Sequence, residues 1–181
     1  MTTPTPLPIR EIDHVEFWVG NARQAATYYR MLYGFDQLGY RGPETGWRGA
    51  SSYLLRQGAA RFIFTTTLEP DDEIARHVAK HGDGVRDIAF HVDDARACFE
   101  EAVRRGAHPV LEPRREEGVG GSILRAAVAT YGDTIHSFVQ RDACELPWLP
   151  GFAPAWLSGG GGTGVVAVDH MVGNVENERM D

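Results

Sequence analysis

The sequence predicts an α+β fold made of two βαβββ units, and three observations carry that prediction. Stretches of strict apolar/polar alternation and stretches of helical spacing follow one another twice in the same order. A shift of 73 residues lays Phe17 on Phe90, Val19 on Val92 and Ala22-Arg23 on Ala95-Arg96, so the order is an internal repeat. The chain also has the make-up of a globular domain: 181 residues, 43% hydrophobic and 24% charged.

The elements follow in order. Residues 1–11 are rich in Pro and Thr and read as a flexible N-terminal arm. From Ile12 the pattern alternates, with Val15, Phe17 and Val19 apolar and Glu16 polar between them, which is a half-buried strand. Gly20-Asn21 ends it. Ala25, Ala26, Tyr29 and Leu32 then recur at helical spacing over 22–33, and Gly34 is the stop. Strands are predicted near 35–41, 50–56 and 60–66, with Gly58-Ala59 turning between the last two. The segment 67–85 is polar and turn-rich. The second unit opens with Ile88, Phe90 and Val92 alternating. Asp93-Asp94 caps a helix over about 95–105 whose inward positions are Ala95, Cys98, Phe99, Ala102 and Val103, and Gly106 ends it. Strands near 108–112, 122–129 and 133–140 complete the unit. In the last of these the same shift lays Arg61–Phe64 on Thr134–Ser137.

The expected organisation is therefore one domain over 12–157, with units at about 12–66 and 86–141. The Gly-rich tract SGGGGTG at 158–164 reads as a linker. In 165–181, Val168-Asp169-His170 echoes Ile12-Asp13-His14 at an offset of 156, so this stretch reads as the start of a third unit, opening a further domain that is cut off early. The aromatics Trp148, Phe152 and Trp156 in ELPWLPGFAPAW either line a pocket or clamp the connecting segment, and clamping is the expected role.

Several function classes are excluded. A net charge of −7 argues against binding a nucleic-acid backbone, which needs a basic face. No apolar run approaches the ~20 residues that span a bilayer, and the N-terminus lacks the basic and apolar regions of a signal peptide. Two cysteines, Cys98 and Cys144, are too few for a disulfide scaffold and fit a reducing cytoplasm. There is no Gly-x-Ser-x-Gly, and neither a P-loop nor a dinucleotide fingerprint. His77 and His81 are four apart, but Gly82 and Gly84 end any helix there, so both are expected at the surface.

Paired βαβββ units around a common cleft resemble the vicinal oxygen chelate superfamily, which includes glyoxalases, extradiol dioxygenases and bleomycin-resistance proteins. The stretches VGNARQAATYY, HGDGVRDIAFHVDDAR, ATYGDTIHSFVQR, LPGF and VDHMVGNVE, in this order over nearly the whole chain, resemble the bacterial 4-hydroxyphenylpyruvate dioxygenases. Related hydroxymandelate synthases are the alternative. The resemblance implies a two-domain parent that acts on an aromatic 2-oxo acid and O₂, forms homo-oligomers and holds Fe(II) in its C-terminal domain. The iron ligands would be two histidines and a glutamate, a facial triad with open positions. The first of these falls on His170, and the others belong to segments outside these 181 residues, so no metal is expected on this chain alone. The equivalent positions in the N-terminal domain are His14, Asp87 and Ser137, a poor ligand set because a serine hydroxyl holds divalent iron weakly. Two other roles remain open: a stand-alone ligand-binding module of the bleomycin-resistance type, and a domain that only mediates subunit contacts.

Overall fold

A computed structural model describes residues 7–118, 120–142, 148–175 and 177. The first unit comprises β1 (Ile9–Trp18), α1 (Ala22–Tyr33), β2 (Asp36–Arg41), β3 (Ala50–Gln57) and β4 (Ala60–Thr67). A connecting helix, α2 (Glu73–His81), leads to the second unit. That unit comprises β5 (Gly84–Val92), α3 (Ala95–Arg104), β6 (Pro109–Gly118), β7 (Gly121–Ala129) and β8 (Ile135–Arg141), and it is followed by β9 (Ala153–Leu157). The described residues form one sheet in the order β6-β7-β8-β5-β1-β4-β3-β2-β9. This is the α+β architecture of two βαβββ units that the repeat predicts.

The repeat is visible as symmetry at the centre of the sheet. β1 and β5 pair antiparallel, and each pairs in parallel with the last strand of its own unit, β4 or β8. His14 stands opposite Ala89 and Glu16 opposite Asp87. Adding 73 turns one pair into the other. The helix starts repeat as well: Asn21 accepts from the backbone of Gln24 and Asp94 from that of Ala97, satisfying donors that the first turn leaves open.

One sequence correspondence is off by a residue. Phe17 pairs with Phe64 and Phe90 pairs with Phe138, so Phe64 corresponds to Phe138, and Ser137 corresponds to Ile63. The repeat distance is 73 through the first strand and helix and 74 in the last strand. Because side chains alternate with period two, that slip decides which face Ser137 occupies.

The two faces of the sheet do different things. On the outer face, α1 covers Phe17, Val19, Phe62 and Phe64, while α3 places Cys98, Phe99 and Ala102 against Phe90, Val92, Ala126 and Phe138. The inner face gathers Leu38, Leu54, Ile63, Ala89, Ile123 and Val139 around Leu149 and Phe152. Arg41 from β2 and Arg125 from β7 line the same small cavity, although five strands lie between theirs in the sheet. Spacing of about 4.8 Å per strand would hold them far apart in a flat sheet, so the sheet curls around this face and makes a cleft.

Three further expectations are corrected. β1 begins at Ile9, which pairs with Val92, so Ile9, Arg10 and Glu11 of the expected arm belong to the sheet. The 67–85 connection contains α2: Asp72 accepts from the backbone of Ala75, and one apolar edge, with Ile74 and His77, is buried. Residues 165–175 have no regular secondary structure, so the DH echo is not in a strand here. β1 is held by β4 and β5 on its two sides, and among the described residues Val168–His170 has no such pair of strand neighbours. Among the described residues, no helix is long and apolar enough to cross a membrane.

Candidate functional site

The cleft floor is the centre of the sheet, where β1 and β5 present His14, Glu16, Asp87 and Ala89 inward. His14 is 2% exposed, and its Nδ1 lies 2.7 Å from the Asp13 carboxylate, which is fully buried. Arg141, at the end of β8, grips the same carboxylate with two hydrogen bonds of 2.7 and 2.9 Å. The Arg61 guanidinium donates to the carbonyls of Asp13 and Ile12. Burial alone would push the Asp13 carboxyl up. The hydrogen bonds and charges of His14 and Arg141 outweigh it and hold the group well below the usual carboxylate range. With its Nδ1 side engaged by Asp13, His14 has Nε2 left to face the cleft.

Asp87 and Ser137 lie together and satisfy each other. One Asp87 oxygen accepts from the Ser137 backbone at 3.0 Å and the other from the Ser137 hydroxyl at 2.5 Å. Glu16 takes part in a hydroxyl relay instead: Thr65 Oγ1 donates to it at 2.6 Å and lies 2.6 Å from Ser52 Oγ. Among the described residues, no three His, Cys, Asp or Glu side chains converge as a metal-holding group. His14, Asp87 and Ser137 form a floor of paired polar groups.

The segment after β8 closes the cleft. Leu149 and Phe152 are buried on the inner face, and Arg141 holds the Trp148 carbonyl at 2.6 Å. What remains is a cavity of about 60 Å³ bordered by His14, Glu16, Arg41, Glu116 and Arg125. That is room for one or two waters, far below the ~300 Å³ at which small-molecule sites begin. Trp148 and Phe152 therefore do clamp the segment, but into the interior; Trp156, on β9, is exposed. Asp13, Arg141, Glu16 and Glu116 were not among the candidate residues. Arg141 is 128 positions from Asp13 in sequence, so local spacing carries no signal of that contact.

The second candidate region is the stretch that follows β9. The glycine tract lies against the first unit: Thr163 donates to the Tyr33 carbonyl, and the backbone N–H of Val165 donates to Gln57. The backbone of Ala59 donates to Val166 at 2.7 Å. The close approach needs glycine, since a Cβ on Gly58 would meet the Val166 carbonyl oxygen at 2.5 Å. Past this docked stretch, His170 is 76% exposed and its Nδ1 lies 2.7 Å from the Asp169 carboxylate. Cys98 is buried, with its thiol pushed up by burial, so it is no nucleophile. Cys144 lies outside the described residues. His108 is exposed. His77 is not at the surface: it is 8% exposed, because α2 turns it under onto Trp18.

Comparison with known proteins agrees across the chain. A family model described as hydroxyphenylpyruvate dioxygenase, N-terminal, matches residues 4–144. The 4-hydroxyphenylpyruvate dioxygenase of Danio rerio is 40% identical over 178 residues, covering 92% of this chain and 44% of that protein. That of Yarrowia lipolytica is 38% identical over 185 residues, covering 95% and 46%. The chain thus spans under half the length of the curated relatives it matches. A solved 4-hydroxymandelate synthase variant from Streptomyces coelicolor superposes with a TM-score of 0.71 at 33% identity, covering 89% of this chain and 45% of that one. A methylmalonyl-CoA epimerase from Mycobacterium tuberculosis shares the fold, with a TM-score of 0.61 at 20% identity, covering 76% of this chain and 92% of that one.

Proposed function

This chain belongs to the hydroxyphenylpyruvate dioxygenase family through its N-terminal domain, and from that premise we propose that it is the non-catalytic half of an enzyme converting 4-hydroxyphenylpyruvate and O₂ to homogentisate and CO₂ in tyrosine catabolism. The observation that carries this reading is identity of 38–40% over 92–95% of the chain to dioxygenases about twice its length. When bound in such an enzyme, Fe(II) supplies the electrons and the template on which the oxo acid and O₂ meet. The described residues do not fit that ion on their own: His170 is a single exposed imidazole, and a facial triad needs three converging ligands. His170 is the one ligand this stretch contributes to the complete site.

Within the 181 residues, the first domain acts as a scaffold. Its cleft is packed by Leu149 and Phe152, so it has no room for an aromatic oxo acid. Residues 165–181 begin the catalytic domain. The α1 surface exposes Tyr28, Met31 and Leu32, which supports assembly into a homo-oligomer. Both this parent activity and the assembly belong to the cytoplasm in this reading. The second reading, a 4-hydroxymandelate synthase, is favoured by the TM-score of 0.71 to that enzyme. Product analysis separates the two. The full-length protein with Fe(II) and 4-hydroxyphenylpyruvate is expected to yield homogentisate; 4-hydroxymandelate as the product would install the alternative. Residues 1–181 alone are expected to yield neither, and homogentisate from them would overturn the scaffold role.

A further inference from the structure

All three buried polar atoms that lack a hydrogen-bond partner among the described residues are in one place. They are Nδ1 and Nε2 of His77 and Nε of Arg86. Both side chains line a pocket of about 200 Å³ under α2, closed by Trp18 at the end of β1 and by Asp133 in the β7–β8 turn. Buried polar groups in folded proteins are almost always paired, and leaving one unpaired is costly. Arg86 Nε–H can only donate, and a neutral imidazole also carries one donor.

The surroundings have a sign. Arg76, Lys80 and Arg86 border the pocket against two carboxylates, Glu73 and Asp133. Both carboxylates are already engaged: Arg86 donates to Glu73 at 2.7 Å, and Lys80 and His81 each reach Asp133 at 2.6 Å. The Arg86 guanidinium lies 4.5 Å over the Trp18 ring, which fixes its plane, and His77 meets the same ring edge-on at 5.2 Å. The donors are therefore rigid before any ligand arrives.

We propose that this pocket is a binding site for a small oxyanion, a carboxylate or a phosphate, held by Arg86 Nε and His77 with Arg76 and Lys80 at the rim. Two unpaired donors in a net-cationic pocket select an acceptor-rich oxyanion, and a singly protonated one also offers a donor to the third unpaired atom, the remaining imidazole nitrogen. The site is separate from the cleft and does not depend on the dioxygenase reading. Burial, then His81 and Arg86, hold the His77 imidazole below its ordinary range, which keeps it neutral while the pocket is unliganded.

The test titrates the 181-residue chain with sodium phosphate and, in a second arm, sodium acetate, with ionic strength held constant by chloride. Nitrogen-resolved NMR follows the Trp18 indole and Arg86 Nε–H. The expected result is a saturable shift confined to these groups with at least one anion, weakened about tenfold or more in Arg86→Gln and in His77→Phe, a loss of ~1.4 kcal/mol. Because Arg86 also ties Glu73 and the Asp133 carbonyl, Arg86→Gln risks unfolding. His77→Phe keeps the ring against Trp18 and carries the test alone if needed. The proposal is overturned if neither anion shifts these signals in the native chain, which would make the pocket a water site. It is equally overturned if His77→Phe binds as tightly as the native chain, which would reduce the effect to adsorption on surface cations.

Discussion

The chain contains two Asp–His pairs with the same local geometry and opposite surroundings. In Asp13–His14 and Asp169–His170 alike, a carboxylate oxygen lies 2.7 Å from Nδ1 of the following histidine. The first pair is sealed inside the sheet, gripped by Arg141 and Arg61. The second is exposed beyond the docked glycine tract. A dipeptide sets one hydrogen bond, and only neighbours from distant strands turn it into a buried network or a ligand site.

Mutation can break or sharpen that contrast. The largest expected effect is from Asp13→Asn, which removes the buried carboxylate that His14 and Arg141 share and should cost about 3–5 kcal/mol in urea unfolding. Asp169→Asn should leave the urea midpoint where it is, and equal losses would erase the distinction. Next, Phe152→Ala should cost about 3 kcal/mol by emptying the packed cleft, again read from urea unfolding. If the cost is near zero, the clamp is not part of the core.

The third effect is in pH. The Asp13 carboxyl titrates lower in the folded protein than in the unfolded chain. Its contribution is therefore fully present above the unfolded value of about 4 and is lost as pH falls toward the folded one. Urea midpoints measured from pH 6 down to 3 should fall in the native chain and fall less steeply in Asp13→Asn. Smaller still, Gly58→Ala should release the tract beside it, since φ there is +57° and the new Cβ would meet Val166. It should cost about 1 kcal/mol and speed hydrogen exchange at Ala59 N–H. The smallest effect belongs to His170→Ala, which should leave thermal unfolding of the 181 residues unchanged; a lower melting midpoint would mean that His170 packs against something.

The sequence carried what is local and periodic. Alternation at Val15–Val19, the cap at Asp94 and the helix stop at Gly34 are all decided within a few residues, and the repeat follows from them. What needed three dimensions was set at long range. The one-residue slip in β8 shows only through pairing of Phe138 with Phe90. α2 is short, its buried edge is only Ile74 and His77, and Gly82 and Gly84 follow directly, so its periodicity is weak in the sequence. Asp13 and Arg141 met unannounced, with the whole domain between them in sequence. Of the candidate site residues, Asp87 and Ser137 hydrogen-bond to each other, which could not be read from spacing.

The central position of β1 has a consequence for how the chain acquires its shape. β1 is the first strand made, yet its partners are β4 and β5, whose paired residues run from Phe62 to Thr65 and from Gly84 to Val92. During synthesis one of its edges waits until about residue 65 has emerged and the other until about residue 92, while β3–β4 and β7–β8 can zip as neighbours in sequence. Such non-local pairing is slow, because loop closure comes before the contacts that reward it. The middle of the sheet is thus built on a strand that waits for both of its neighbours. An N-terminal deletion through Trp18 should stall the whole domain, whereas loss of β9 removes only an edge.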